Sequence, residues 1–103
     1  MMATYQDDAE FYVVHIASEN LSDSELSNVE KKFNLAYDWF RVDSGFYILY
    51  SSKNSSTWYT RIGKLFETKP NMFFCRLDIS DRQGWMTKSF WEWIKEKKPP
   101  AER

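Results

Sequence analysis

Cysteine, histidine, glycine and proline are all scarce in this chain, and each scarcity excludes something. Cys75 is the only cysteine, so no internal disulfide can form. His15 is the only histidine, and no Cys, Asp or second His stands at ligand spacing from it, so ordinary strand packing is expected rather than catalysis or ligation. Three glycines and three prolines beside 43% hydrophobic residues argue against disorder. No apolar run approaches the roughly 20 residues that a membrane helix needs, so no membrane partner is expected. Charge of one sign is also missing. With 14 basic and 15 acidic residues the net charge is −1, which supplies no field for gathering nucleic acid or anionic lipid, so such binding would need a local patch. The residues after Met1 do not form a charged-then-apolar leader, and a reducing cytoplasm is the expected location.

What the chain has in quantity is aromatic side chains: five Trp, six Tyr and eight Phe, 18% of 103 residues. Each can bury about 150–250 Å², so a few would fill the core of a single domain and others must lie near the surface. The densest stretch is Tyr37 to Tyr50. Two apolar runs, Tyr37 to Val42 and Phe46 to Tyr50, meet at Asp43-Ser44-Gly45, a connection whose glycine supplies the positive φ of a tight hairpin.

The rest of the chain reads in order around that hairpin. Residues 1–10 are polar and form a loose leader, and the domain spans 11–98 with a short tail at 99–103. Phe11 to Ala17 is apolar on both alternating faces, as in a central strand. Ser22 and Glu25 form a capping box with Leu21 placed to staple onto Leu26, and Leu26, Val29 and Phe33 continue one helical face. After the Ser-rich break 51–56, where helix capping is favoured over phosphate binding, Trp58, Ile62, Leu65 and Phe66 define a second amphipathic helix that Lys69-Pro70 should stop. Met72 to Ile79 alternates as a last strand. Thr87 then caps a third helix with Phe90, Trp91 and Ile94 inward, and Trp85 is placed to anchor it as a buried ring. Asp78 and Asp81 read as turn residues, and Lys95, Lys97, Lys98 and Arg103 as a solvated helix end.

This order, β-α-β-β-α-β plus a terminal helix, predicts an α+β fold: a four-stranded antiparallel sheet with two helices on one face, the ferredoxin-like split βαβ arrangement, and a C-terminal helix. With Val14, Ile16, Phe40, Val42, Phe46, Ile48, Phe73, Cys75 and Leu77 turned toward the helices, alternation places His15, Tyr37, Trp39, Arg41, Tyr47, Phe74 and Arg76 on an open face. Such an apolar, aromatic face marks an interface.

Three stretches carry a family resemblance. Asp38 to Ile48, Asn54 to Glu67, and Gly84-Trp85-Met86 with Phe90 to Lys95 resemble the SinR family of small bacterial proteins, themselves similar to the small subunit of the CRISPR spacer-integration complex. The resemblance covers about Phe33 to Lys95 and implies the fold and a tendency to dimerise. Subunits of that kind with nuclease activity carry an Asp at the end of the first strand; here His15 to Glu19 contains none, and Glu19 is the only nearby carboxylate for a hard metal ion. Ser44 to Tyr50 is also similar to the third-strand signature of RNA-recognition motifs, departing from it at the leading basic residue and at Tyr47.

The sequence therefore points to a non-catalytic interaction protein without a cofactor, forming a homodimer or taking a heterologous protein partner through its aromatic sheet face. The alternative is a module that stacks single-stranded RNA or DNA on the same rings, with Arg41 and Arg76 meeting phosphates. A metal-dependent nuclease is the second alternative.

Overall fold

The computed structural model describes residues 4–99. Its elements are β1 (Glu10–Ile16), α1 (Asp23–Phe33), β2 (Asp38–Asp43), β3 (Phe46–Ser51), α2 (Ser55–Gly63), β4 (Met72–Leu77) and α3 (Lys88–Glu96). The strands form one antiparallel sheet in the order β2-β3-β1-β4, the order of the ferredoxin-like arrangement, with β1 paired on both sides.

Local chemistry sets the element boundaries. The capping box of α1 is complete: the Glu25 amide donates to Ser22 Oγ at 3.1 Å, and the Ser22 amide donates to Glu25 Oε1 at 3.0 Å. Asn54 and Thr87 cap α2 and α3 in the same way, through Oδ1 to the Thr57 amide and Oγ1 to the Phe90 amide. Gly45 turns the hairpin at φ 71°, and its carbonyl accepts from the Ile16 amide at 2.7 Å, so the turn is pinned to the end of β1.

Cross-strand pairing fixes the faces, because residues directly opposite each other point the same way. Val14 pairs with Tyr47 on one side and Phe74 on the other. Tyr12, Val14, Ile16, Tyr47 and Leu49, with Trp39, Met72 and Phe74 at the margin, therefore pack against Val29 and Phe33 of α1, Trp58 and Ile62 of α2, and Phe66. The opposite face is not open along its whole length. Phe11, Ile48 and Tyr50, with Phe40, Val42 and Leu77, lie under Phe90, Trp93 and Ile94 of α3.

This corrects the expected assignment of faces. Val14 and Ile16 do face the two helices, but β2, β3 and β4 are inverted: Trp39, Tyr47 and Phe74 point toward α1 and α2, whereas Phe40, Phe46, Ile48, Phe73 and Leu77 point away. Alternation gives each strand two phases, and only the register between strands says which phases belong together.

Smaller differences have local causes. Helix α2 ends at Gly63, well before Lys69-Pro70, and leaves Leu65 exposed while Phe66 stays buried. The leader is held down in part, since the Gln6 amide donates to Tyr50 Oη at 2.7 Å and Tyr37 Oη donates to Asp8 at 2.9 Å. The rest of the expected leader (1–3) and of the tail (100–103, with Arg103) lies outside the described residues. Among those described, no helix is long and apolar enough to cross a membrane.

A Cβ on Gly45 would collide with the Ile16 carbonyl oxygen as well as strain the positive φ. Gly45→Ala is expected to cost more than about 2 kcal/mol in urea unfolding. A loss within about 0.5 kcal/mol, usual for a surface change, would show that the turn relaxes freely.

Candidate interaction surface

The placement of α3 decides which part of the second face is available, and a buried ion pair holds α3 in place. Asp38 opens β2 between Tyr37 and Trp39, with its side chain under α3. Its Oδ2 accepts from Trp93 Nε1 at 2.9 Å, and Oδ1 accepts from the Trp39 amide at 2.9 Å. Lys97, at the C-cap of α3, brings its ammonium to 2.9 Å from Oδ2. The contact lacks hydrogen-bond alignment and acts as a charge pair, supplemented by the ring faces of Trp93 at 4.6 Å and Tyr50 at 5.9 Å. The Lys97 side chain is 0% exposed, so it is not part of a solvated helix end as its neighbours in sequence suggest.

Beyond the reach of α3, the second face is bare. His15 pairs with Phe46 on β3 and with Phe73 on β4, which sets the three rings in one row across the sheet. All three are exposed, Phe73 at 60%. In the next row Val13 stands beside Cys75. Cys75 is exposed rather than packed as a small apolar core residue, with its thiol 3.4 Å from the Arg76 carbonyl oxygen.

A cleft of about 360 Å³ continues from this patch toward α3, lined by Val42, Phe46, Ile48, Ile79, Met86 and Phe90 among others. On its rim, Trp85 is 99% exposed and anchors nothing in the single chain. Here too the expectation of a buried ring is overturned. Asp78 does serve as a turn residue: its carboxylate accepts from the Ser80 hydroxyl at 2.6 Å and the Ser80 amide at 2.9 Å, which holds its pKa below the usual carboxylate value.

Of the seven candidate interface residues, only His15 belongs to the bare patch. Tyr47 is 1% exposed, and its hydroxyl donates to Glu30 at 2.8 Å; burial, then that hydrogen bond, raises its pKa. Trp39 packs on Phe33 and Tyr47 and donates from Nε1 to Asn34 at 2.9 Å. Arg41 meets the same Glu30 at 3.3 Å on the α1 side. Arg76 pairs with Tyr12 and so shares the face of α1 and α2, where Phe74 packs against Tyr59 of α2. Tyr37, just before β2, packs with Tyr50 near α3. The register thus separates the two arginines from the exposed rings.

The residues that sequence reasoning missed are Phe46, Phe73 and the pair Asp38–Lys97. Asp38 did carry a signal, since Asp is depleted in strands and an acid inside an aromatic strand needs a partner. Among the described residues, no group of three or more His, Cys, Asp or Glu side chains is arranged to hold a metal ion. Comparison with protein-family models, curated proteins and solved structures found no match.

Removing one member of a buried pair strands the other, so Asp38→Asn and Lys97→Met should each cost about 3–5 kcal/mol in urea unfolding. The double variant is expected to cost less than the sum. Additive losses would show that the two charges do not depend on each other.

Proposed function

We propose that the chain is a non-catalytic interaction protein that takes a protein partner on the uncovered part of its second sheet face, in the cytoplasm, where Cys75 stays reduced. The observation that carries this reading is the exposed aromatic row Phe46, His15 and Phe73, whose two apolar phenyl rings flank the imidazole beside Val13 and Cys75. Exposed apolar area of this kind gains free energy only when another surface covers it. The likeness of the hairpin and of the Gly84-Trp85-Met86 ending to the SinR family and the CRISPR integration subunit adds an expectation of self-association. Against the nuclease alternative, Glu19 lies past the end of β1 and, among the described residues, belongs to no group of three or more His, Cys, Asp or Glu side chains arranged to hold a metal ion.

Single-stranded nucleic acid is the second reading, favoured by the three stackable rings in one row. Its weakness is charge. Arg41 and Arg76, which would meet phosphates, lie across the sheet from those rings, and Arg41 is already paired with Glu30.

Mass in solution over a concentration series, with and without a short single-stranded oligonucleotide, tests the two readings. The parent is expected to self-associate and to ignore the oligonucleotide, while Phe73→Asp, at an exposed position, stays a folded single chain. Oligonucleotide binding by the parent that Phe73→Asp abolishes would make the surface a nucleic-acid platform instead.

A further inference from the structure

Residues 80–87, in the connection between β4 and α3, are exposed throughout. In their middle, Gly84 and Met86 line the apolar cleft, and Trp85 between them has its indole wholly in water. Both neighbours of Trp85 line the cleft while its own ring is almost fully exposed and takes no part in the lining, so the indole is turned away from the cleft of its own chain. Resting on the protein-docking reading above, we propose that this cleft is the seat for Trp85 of a second copy, exchanged reciprocally across a two-fold axis.

Three features favour that occupant. Trp85 stands on the rim of the cleft it would fill in the partner, so an axis passing beside residues 84–86 sets both indoles over both clefts at once, as an isologous contact requires. The cleft, about 360 Å³, is large enough for one aromatic side chain. Each indole covers about 150–250 Å² and hides a similar area of wall, and the adjoining His15 and Phe73 bring the total toward the roughly 1,200 Å² of a specific interface. Charge agrees as well. Asp81 and Arg82 lie side by side on the rim, so a two-fold contact can set opposite signs against each other.

Sedimentation of the full chain over a concentration series tests the exchange, together with the emission of Trp85 taken as the difference between parent and Trp85→Phe. The parent is expected to reach the mass of two chains, with the Trp85 emission moving to shorter wavelength over the same concentration range. Trp85→Ala should weaken the dimer at least about 30-fold, the range of an interface anchor, and leave the thermal midpoint of the dilute chain unchanged. Met86→Lys, which places a charge in the cleft but keeps the indole, should weaken it similarly. An equimolar mixture of these two variants should associate more tightly than either alone, because one indole then meets one intact cleft. A dimer lost in Phe73→Asp but unaffected by Trp85→Ala would overturn the exchange and leave the docking surface standing. A single chain at every concentration, or short-wavelength Trp85 emission while the mass is still that of one chain, would also overturn it.

Discussion

The contact on which the arrangement of this molecule depends is the ion pair between Asp38 at the start of β2 and Lys97 at the end of α3. A nine-residue helix is too short to persist in water alone, because nucleation costs more than so few hydrogen bonds return. Its stability has to come from packing Phe90, Trp93 and Ile94 on the sheet, and apolar packing alone allows sliding. A charge pair that also takes the Trp93 N–H allows one seat, since any shift strands a buried charge at a cost of several kcal/mol. The seat of α3 in turn decides where cover ends and the row of His15, Phe46 and Phe73 begins.

The two faces of the sheet are stabilised differently. Under α1 and α2 the core is continuous, and two of its buried polar side chains are matched locally: Trp58 Nε1 donates to Ser51 Oγ at 3.0 Å, and Tyr47 reaches Glu30. Removing a side chain there leaves a cavity in a closed environment. On the other face, α3 and the leader cover one end only, and the other end keeps apolar rings in water. A chain with this many aromatic residues cannot hide them all in one small core. The surplus lies where a second surface would give most in return.

Much of the fold was legible because it is written in local chemistry. Ser22 with Glu25 marked a helix start, Gly45 marked the hairpin, and the order of apolar runs limited the sheet to few topologies. The faces were not legible, for a physical reason. β3 is buried at five successive positions and β1 at four of seven, on both sides of the sheet, so neither shows the alternation that would tell one face from the other. The side of the sheet that α3 occupies was equally hidden, because an amphipathic helix declares which of its own faces is apolar and not what that face meets. Lys97 sits in a run of charged residues that composition alone marks as solvated, and only the unsatisfied demand of Asp38 inside a strand hinted otherwise. Trp85 was misplaced because a tryptophan after a glycine reads as an anchor in any core; its exposure follows from a connection that runs outside the packed layers.

The central claim is that the sheet face beyond α3 is free in the single chain and covered by a partner. Cys75, the only thiol, lies on that part of the face and reports on it directly. The rate of its modification by a neutral thiol reagent, measured from dilute to concentrated protein and referred to the unfolded chain, should be close to the unfolded rate when dilute and fall steeply as the chains associate. A thiol already protected in dilute protein, or one that stays reactive in the associated form, would contradict the account.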